Sequence, residues 1–204
     1  MRLLGSSGVS AIVLASGFSR RFNSNKLLLP LGNETVIGMS VRHIMEAGVS
    51  KIAVVIPGDE SMLELALPEN VDKIYNLDRI EGIASSIRAG VNRYIESDDA
   101  ILIMNGDQPL LPPSIIRQLI DLYACNDRKI AACSIDGNPV NPAIFPHMYL
   151  ADLMALNGDR GAKSLILSNM ENVVTVDVDP VLLTDVDTSE DYENVLRLLD
   201  SKEH

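Results

Sequence analysis

Three cations, Arg20, Arg21 and Lys26, fall within seven residues of a chain that is otherwise acidic. They follow the apolar run 11–15 and the small-residue turn Ser16-Gly17. Small residues let backbone N–H groups approach a ligand closely. Cations beside bare amides suit a polyanion such as a triphosphate, although a surface loop with solvated charges has the same spacing. The run contains neither a GxxxxGK phosphate loop nor a GxGxxG dinucleotide turn. Further on, Asp107 ends the apolar run 100–107 and precedes Gln108-Pro109. A carboxylate at the tip of a buried strand is held rigidly and suits a hard divalent cation; a turn-forming Asp after Gly106 is the plainer alternative. In a second acidic run, 185–191, Asp185 and Asp187 alternate, so only one faces a common site if the backbone is extended; Asp187 is preferred. Thr188 and Asp191 have N-cap spacing. Gly82, Ser85 and Ser86 open a helical segment, where an N-terminus and hydroxyls can serve phosphate or carbonyl groups or simply cap the helix.

Short apolar runs at 11–15, 51–57, 71–76, 100–107, 129–135 and 172–178 are bounded by Gly, Pro and Asp and read as strands buried on both faces. Helix-period segments lie between them: 35–47, 85–94, 112–123, 150–156, 162–167 and a last helix from Thr188. Pro112-Pro113 suits a first helical turn. Strand–helix alternation predicts a doubly wound α/β fold, a three-layer α/β/α sandwich with a mostly parallel, Rossmann-like sheet. Ligands of such sheets bind beyond the carboxyl ends of the strands, which directs attention to the loops after Ala15, Asn76 and Met104.

The length, 204 residues, predicts a single domain over 1–204 with no internal repeat or linker. Hydrophobic residues make up 47% and charged residues 22%, which argues against disorder. Lys plus Arg is 17 against 28 Asp plus Glu, a net charge of -11 that leaves no basic footprint for duplex nucleic acid. Aromatics are 4% with no Trp, too few for base-stacking platforms on single strands. No apolar stretch reaches the ~18 residues of a membrane span, and the opening MRLLGSSG is too short and polar for a signal peptide. Cys125 and Cys133 lack metal-ligand spacing and fit a reducing cytoplasm, both expected to be buried rather than reactive. His43 and His147 have no partner at metal spacing, and no nucleophile elbow or Cys/His pair suggests covalent catalysis.

The run 14–32 resembles the opening signature of the molybdenum cofactor nucleotidyltransferases, the MobA and MocA proteins, within nucleotidyltransferase family A, whose fold is the nucleotide-diphospho-sugar transferase type. Leu14, Ala15, Gly17, Ser19, Arg21 and Lys26 fall in register with it; Ser16 replaces a small Ala or Gly, and Asn23 replaces a Gly. Asn tolerates positive φ best after Gly. The resemblance implies that Leu14, Ala15, Ser16 and Gly17 cradle base and phosphates while Arg21 and Lys26 hold the triphosphate. It also implies that Asp107, with Asp187 or Asp185, binds Mg²⁺. Asp-Gln-Pro at 107–109 is similar to the cytidylyltransferase branch, and 81–90 to the MocA segment in which Gly82 and Ser86 hold the nucleotide. The Gly-Pro-Leu-Ala-Gly run of guanylyltransferases is missing. The segments 137–145 and 156–166 resemble those that shape the second-substrate side, with Asn141, Pro142, Gly158, Asp159 and Gly161 as contributors; without the resemblance, loop and cap chemistry is the favoured reading.

The implied activity is Mg²⁺-dependent transfer of a nucleotide monophosphate from an NTP, CTP by resemblance, to the phosphate of molybdopterin or its molybdenum-loaded form, releasing pyrophosphate. Arg21, Lys26 and Asp107 are the implied catalytic residues, and a molybdoenzyme or its chaperone is the implied protein partner. Three alternatives stand beside it: the same chemistry with another pairing, such as GTP or another phosphate monoester; a non-catalytic nucleotide sensor or cofactor chaperone; and an NAD-dependent oxidoreductase, disfavoured by the cationic first loop.

Overall fold

The computed structural model describes residues 8–17, 25–58, 61–97 and 100–201. The chain runs β1 (Val9–Leu14), β2 (Pro30–Leu31), β3 (Glu34–Thr35), α1 (Val36–Glu46), β4 (Ile52–Pro57), α2 (Ser61–Leu65), β5 (Asp72–Asn76), α3 (Ile83–Tyr94), β6 (Ala100–Asn105) and α4 (Pro113–Ala124). It continues through β7 (Ile130–Ile135), β8 (Asn138–Phe145), α5 (Leu150–Met154), α6 (Ala162–Ser168), β9 (Val173–Asp177) and α7 (Ser189–Asp200). The six apolar runs each supply a strand of one seven-stranded sheet, in the order β5-β4-β1-β6-β8-β7-β9, while β2 and β3 form a small separate ribbon. All its neighbouring pairs are parallel except those made by β8.

Alternation along the strands divides the core between two faces. Val9, Ala11 and Val13 of β1 and Leu102 and Met104 of β6 face a cluster with Ile37 and Ile44 of α1, Ile116 and Leu119 of α4 and Val195 of α7. Ile12, Ile101 and Ile103 face the opposite cluster, with Ile87 and Val91 of α3, Leu153 of α5 and Ile166 of α6. Two helical layers therefore enclose a largely parallel sheet, as the alternation of elements predicts.

Local chemistry starts the helices where expected. The Thr35 hydroxyl accepts from Gly38 N–H at 3.1 Å and caps α1, Pro112 precedes Pro113 at the start of α4, and Thr188 and Asp191 form a complete capping box on α7. Among the described residues, no helix is long and apolar enough to cross a membrane.

Two expectations need correction. The segment 137–145 is not loop: residues Asn138–Phe145 form β8, antiparallel between β6 and β7. Asp136 and Gly137, at φ 50° and 76°, make the tight turn from β7, the positive-φ pair that a two-residue hairpin demands. Two prolines usually demote a strand. Here Pro139 pairs with Ser134, and Pro142, preceded by a cis peptide bond, sits at an irregularity in the β7–β8 ladder where no N–H is required. The second correction concerns the thiols: Cys133 is buried in β7, but Cys125 at the end of α4 is exposed.

Candidate active site

The carboxyl ends of β1 and β6 lie side by side, Leu14 paired with Asn105. The chain then turns at Gly106, whose N–H donates to the Leu14 carbonyl at 2.9 Å. A Cβ at Gly106 would stand 2.5 Å from Ile37 Cδ1, so a side chain there would collide with α1. Asp107 emerges from this turn. Its carbonyl accepts from Val186 N–H at 3.0 Å, which ties the distant acidic run to the end of β6. The Asp191 carboxylate accepts from the N–H groups of both Asp187 and Thr188, at 3.2 and 2.8 Å. The capping box of α7 thereby orients the backbone at Asp187, and the Thr188 hydroxyl in particular holds the Asp191 pKa below the usual range.

Lys26 starts a single 3₁₀ turn, Lys26–Leu28, capped by Asn25 through Leu27 N–H at 3.0 Å. Its Nζ donates to Asp107 Oδ2 at 2.5 Å and to Asp187 Oδ1 at 2.7 Å. Burial opposes the ammonium charge, but the Asp107 and Asp187 carboxylates outweigh it and hold the Lys26 pKa above its ordinary value. Asp185 lies behind this pair. Burial first, then the charges of Asp107 and Asp187, push its pKa up to about 6 against hydrogen bonds to Asn105 and Gln108. Asp107 Oδ1 and Asp185 Oδ1 are buried and make no hydrogen bond among the described residues. No group of three His, Cys, Asp or Glu suited to a metal ion occurs among the described residues. Asp107 and Asp187 thus offer two carboxylates converging on one positive charge, one with a spare buried oxygen. That donor set fits a hard divalent cation that completes its shell with water and phosphate oxygens.

Across the same cleft, over β1 and β5, the polar groups are neutral. Asn76, Ser16, Ser85 and Ser86 are all nearly fully buried. Asn76 Nδ2 donates to the hydroxyls of Ser85 (2.9 Å), Ser86 (3.0 Å) and Ser16 (3.3 Å), and Ser16 and Ser86 share a 2.6 Å hydrogen bond. A cleft of about 510 Å³ joins the two ends; Leu14, Ala15, Ser16 and Gly17, Lys26, Gly82, Ser86, Asp107 and Asp159 line it, together with Asn105, Arg79 and the apolar Ile80 and Ile83. Its volume is that of an ordinary small-molecule site.

Gly82, at φ 87° and ψ -175°, enters α3 in a conformation that favours glycine. A Cβ there would lie 2.5 Å from Asp159 Oδ1 and 2.6 Å from Gly158. Ala84 N–H donates to the Gly158 carbonyl at 3.1 Å, and Arg88 bridges the Leu156 carbonyl and Glu81. The 157–161 loop is therefore docked on the start of α3, which brings Asp159 to the cleft; Gly161 starts α6. Asn141 and Pro142 do not line the cleft: they lie within β8, where the Ile103–Ala143 register runs on toward Asn105 and Asn141, and Asn141 Oδ1 is buried without a partner among the described residues. Arg21, with Ser19, Arg20 and Asn23, lies outside the described residues. Sequence reasoning missed Asn76, Asn105, Arg79 and Ile80 in or beside the cleft. A buried Asn ending a strand was the one available signal, in a loop already marked for attention.

A largely parallel α/β sheet with a nucleotide-sized cleft at its carboxyl ends, cationic and acidic on one side and hydroxyl-lined on the other, defines the class: a nucleotide-using transferase fold. The chain matches the MobA-like NTP transferase domain over residues 11–173 and belongs to that family. It is a nucleotidyltransferase. Purine catabolism protein PucB of Bacillus subtilis is 30% identical, over 92% of this chain and 96% of that one. The molybdenum cofactor cytidylyltransferase of Escherichia coli is 25% identical over 91% and 94%, and a probable molybdenum cofactor guanylyltransferase of Carboxydothermus hydrogenoformans is 27% identical over 96% and 98%. Among solved structures, Rv0371c of Mycobacterium tuberculosis in complex with manganese superposes with a TM-score of 0.77 at 28% identity, covering 93% of this chain and 98% of that one. A nucleotidyl transferase from Methanothermobacter shares the fold, with a TM-score of 0.82 at 23% identity over 95% and 98%.

Proposed function

We propose that the protein transfers the nucleotide monophosphate unit of CTP to the phosphate of molybdopterin or its molybdenum-loaded form, releasing pyrophosphate, with Mg²⁺ as the divalent ion. The observation that carries this reading is the meeting of Lys26, Asp107 and Asp187 at one end of a cleft whose other end carries the Ser16 and Ser86 hydroxyls and apolar side chains, with Arg79 and Asp159 also in the lining. A triphosphate belongs at the charged end and a base at the neutral end, between the apolar side chains of Leu14, Ile80 and Ile83. Asp107 and Asp187 would hold the divalent ion, which would supply charge neutralisation to the phosphates when bound.

The acceptor phosphate has a second pKa near ~6 and is largely dianionic at neutral pH, so it attacks without a strong general base. Its oxygen forms a bond to the α-phosphorus as the bond from that phosphorus to the bridging oxygen breaks, and the electron pair leaves on pyrophosphate. Repulsion between two anions is the obstacle. The Lys26 ammonium offsets that repulsion and stabilises charge on the transferring and leaving groups, a role proposed for Arg21 as well. Holding attacker and phosphorus in line supplies much of the rest. Asp159 and Gly158, docked on α3, and Asn141, with its unpartnered buried oxygen, are proposed for the acceptor side. The relatives that act on molybdenum cofactor support the acceptor, and a molybdoenzyme or its chaperone is the proposed recipient of the product. The resemblance to PucB favours a second reading, the same transfer to a phosphate monoester of purine breakdown. Pyrophosphate release from each NTP with Mg²⁺ and purified molybdopterin tests the proposal. CTP should lead, and no release with any NTP would refute it.

A further inference from the structure

The neutral end of the cleft has a hydrogen-bond polarity, and one residue sets it. Asn76 closes β5 with its side chain buried. Its Oδ1 accepts from Asp78 N–H at 3.0 Å, and a backbone N–H can only donate, so the amide can take one orientation alone. Both Nδ2 hydrogens therefore point at serine oxygens. The hydrogen of Ser85 is committed: the hydroxyl accepts from Asn76 and donates to the Gly82 carbonyl at 2.8 Å. Ser16 and Ser86 hold two hydroxyl hydrogens between them and spend one on their mutual bond. The amide occupies serine lone pairs, so the remaining hydrogen is turned away from Asn76. Both serines line the cleft, and among the described residues their hydroxyls bond only to each other and to Asn76.

We infer that Asn76 is a positioning residue for base binding: through Ser16 and Ser86 it presents a hydrogen-bond donor to the cleft, and the ligand atom seated there is an acceptor, a carbonyl oxygen or ring nitrogen of the base. The inference rests on the proposed placement of the base at this end. It also gives a role to Ser16, which stands where the family signature has a small Ala or Gly.

Exchanging Asn76 for Asp keeps the shape and the bond from Asp78 N–H but reverses the other half of the group. The carboxylate accepts from the hydroxyls, which then offer lone pairs to the ligand. Binding of CTP and of ribose 5-triphosphate, which has no base, is measured for wild type and for Asn76→Asp, each checked by thermal melting. CTP should weaken about tenfold or more, the scale of one hydrogen bond lost and one polar atom left unpaired, while ribose 5-triphosphate keeps its affinity and kcat changes little. Because a buried charge can impair folding, the double variant Ser16→Ala with Ser86→Ala is the second test; it removes the donor outright and should show the same CTP-selective loss. Equal losses for the two probes, or none for CTP in either variant, would overturn the inference. A wild type that binds both probes with one affinity would instead overturn the base placement beneath it.

Discussion

Removing the Lys26 ammonium should change two measurements in opposite directions. In the free protein Nζ lies 2.5 Å from Asp107 Oδ2 and 2.7 Å from Asp187 Oδ1, so it occupies the charge between the two carboxylates proposed to hold a divalent ion. An entering ion must displace it. A charge-assisted hydrogen bond is worth roughly 1.5–3 kcal/mol net. Asp107 is mostly buried, but the Asp187 side chain is 53% exposed, so its share is largely screened. About 2 kcal/mol then opposes ion binding in wild type. At ~1.36 kcal/mol per factor of ten, Lys26→Ala should bind Mn²⁺ about 30-fold more tightly in the absence of nucleotide. Turnover should move the other way, falling about 10²-fold or more, the loss expected for one electrostatic stabiliser of developing charge. Paramagnetic titration of Mn²⁺ gives the first quantity and pyrophosphate release the second. Mn²⁺ affinity that is unchanged or weaker in Lys26→Ala would refute the competition, and near-normal turnover would remove Lys26 from catalysis.

Gly82→Ala faces a backbone region open chiefly to glycine and a Cβ 2.5 Å from Asp159 Oδ1. It should cost about 1–3 kcal/mol and raise KM as the 157–161 loop is pushed off α3; an unchanged melting temperature and KM would contradict that docking. Thiol titration of the native protein should find one fast group, exposed Cys125, because burial pushes the Cys133 thiol up to about 12; two fast groups would contradict the placement of β7. Thr188→Ala should lose about 1 kcal/mol with the α7 cap. Asp191 has a depressed folded pKa, so its stabilisation is present above the unfolded value of about 3.9 and is lost as pH falls through the folded one. The melting gap between wild type and Thr188→Ala should accordingly narrow in acid, and a gap that widens there would reverse the sign of the argument.

The central parallel strands are legible because burial on both faces leaves its mark in continuous apolar runs, as at 100–107 and 51–57; the edge strands β5 and β9, expected to be buried likewise, are largely half-exposed because each has a neighbour on one side only. β8 escaped for a physical reason. Its two prolines argue against a central strand, and only the pairing partners explain them, since the ladder is irregular where Pro142 lies. Asp136-Gly137 was the readable signal, a turn pair that joins two strands directly. The missed strand matters for the site, because β8 is what carries Asn141 toward Asn105 at the end of β6. Cys125 shows a different limit. One-dimensional sequence says that cysteines favour burial, and only the end of α4 decides which of the two obeys.

Charge makes one end of the cleft conspicuous from residue types, whereas at the other end the serines could be singled out but not Asn76, which orients them. Lys26, Asp107 and Asp187 are conspicuous as isolated charges next to turns, and a reader needs only to suppose that they meet. What the residue types do not contain is the means by which they meet: a single backbone bond from Val186 to the Asp107 carbonyl, and an N-capping box that orients Asp187 from behind. Thr188 and Asp191, read from sequence as helix caps alone, therefore also fix the acidic end of the site. The neutral end works through hydrogen positions rather than charges. Asn76 and three serines are unremarkable in composition, and their polarity exists only once Asp78 N–H has chosen the orientation of one buried amide. A change that leaves every charge in place, such as one at residue 76 or 188, should thus alter this site more than its exposed acidic surface would suggest.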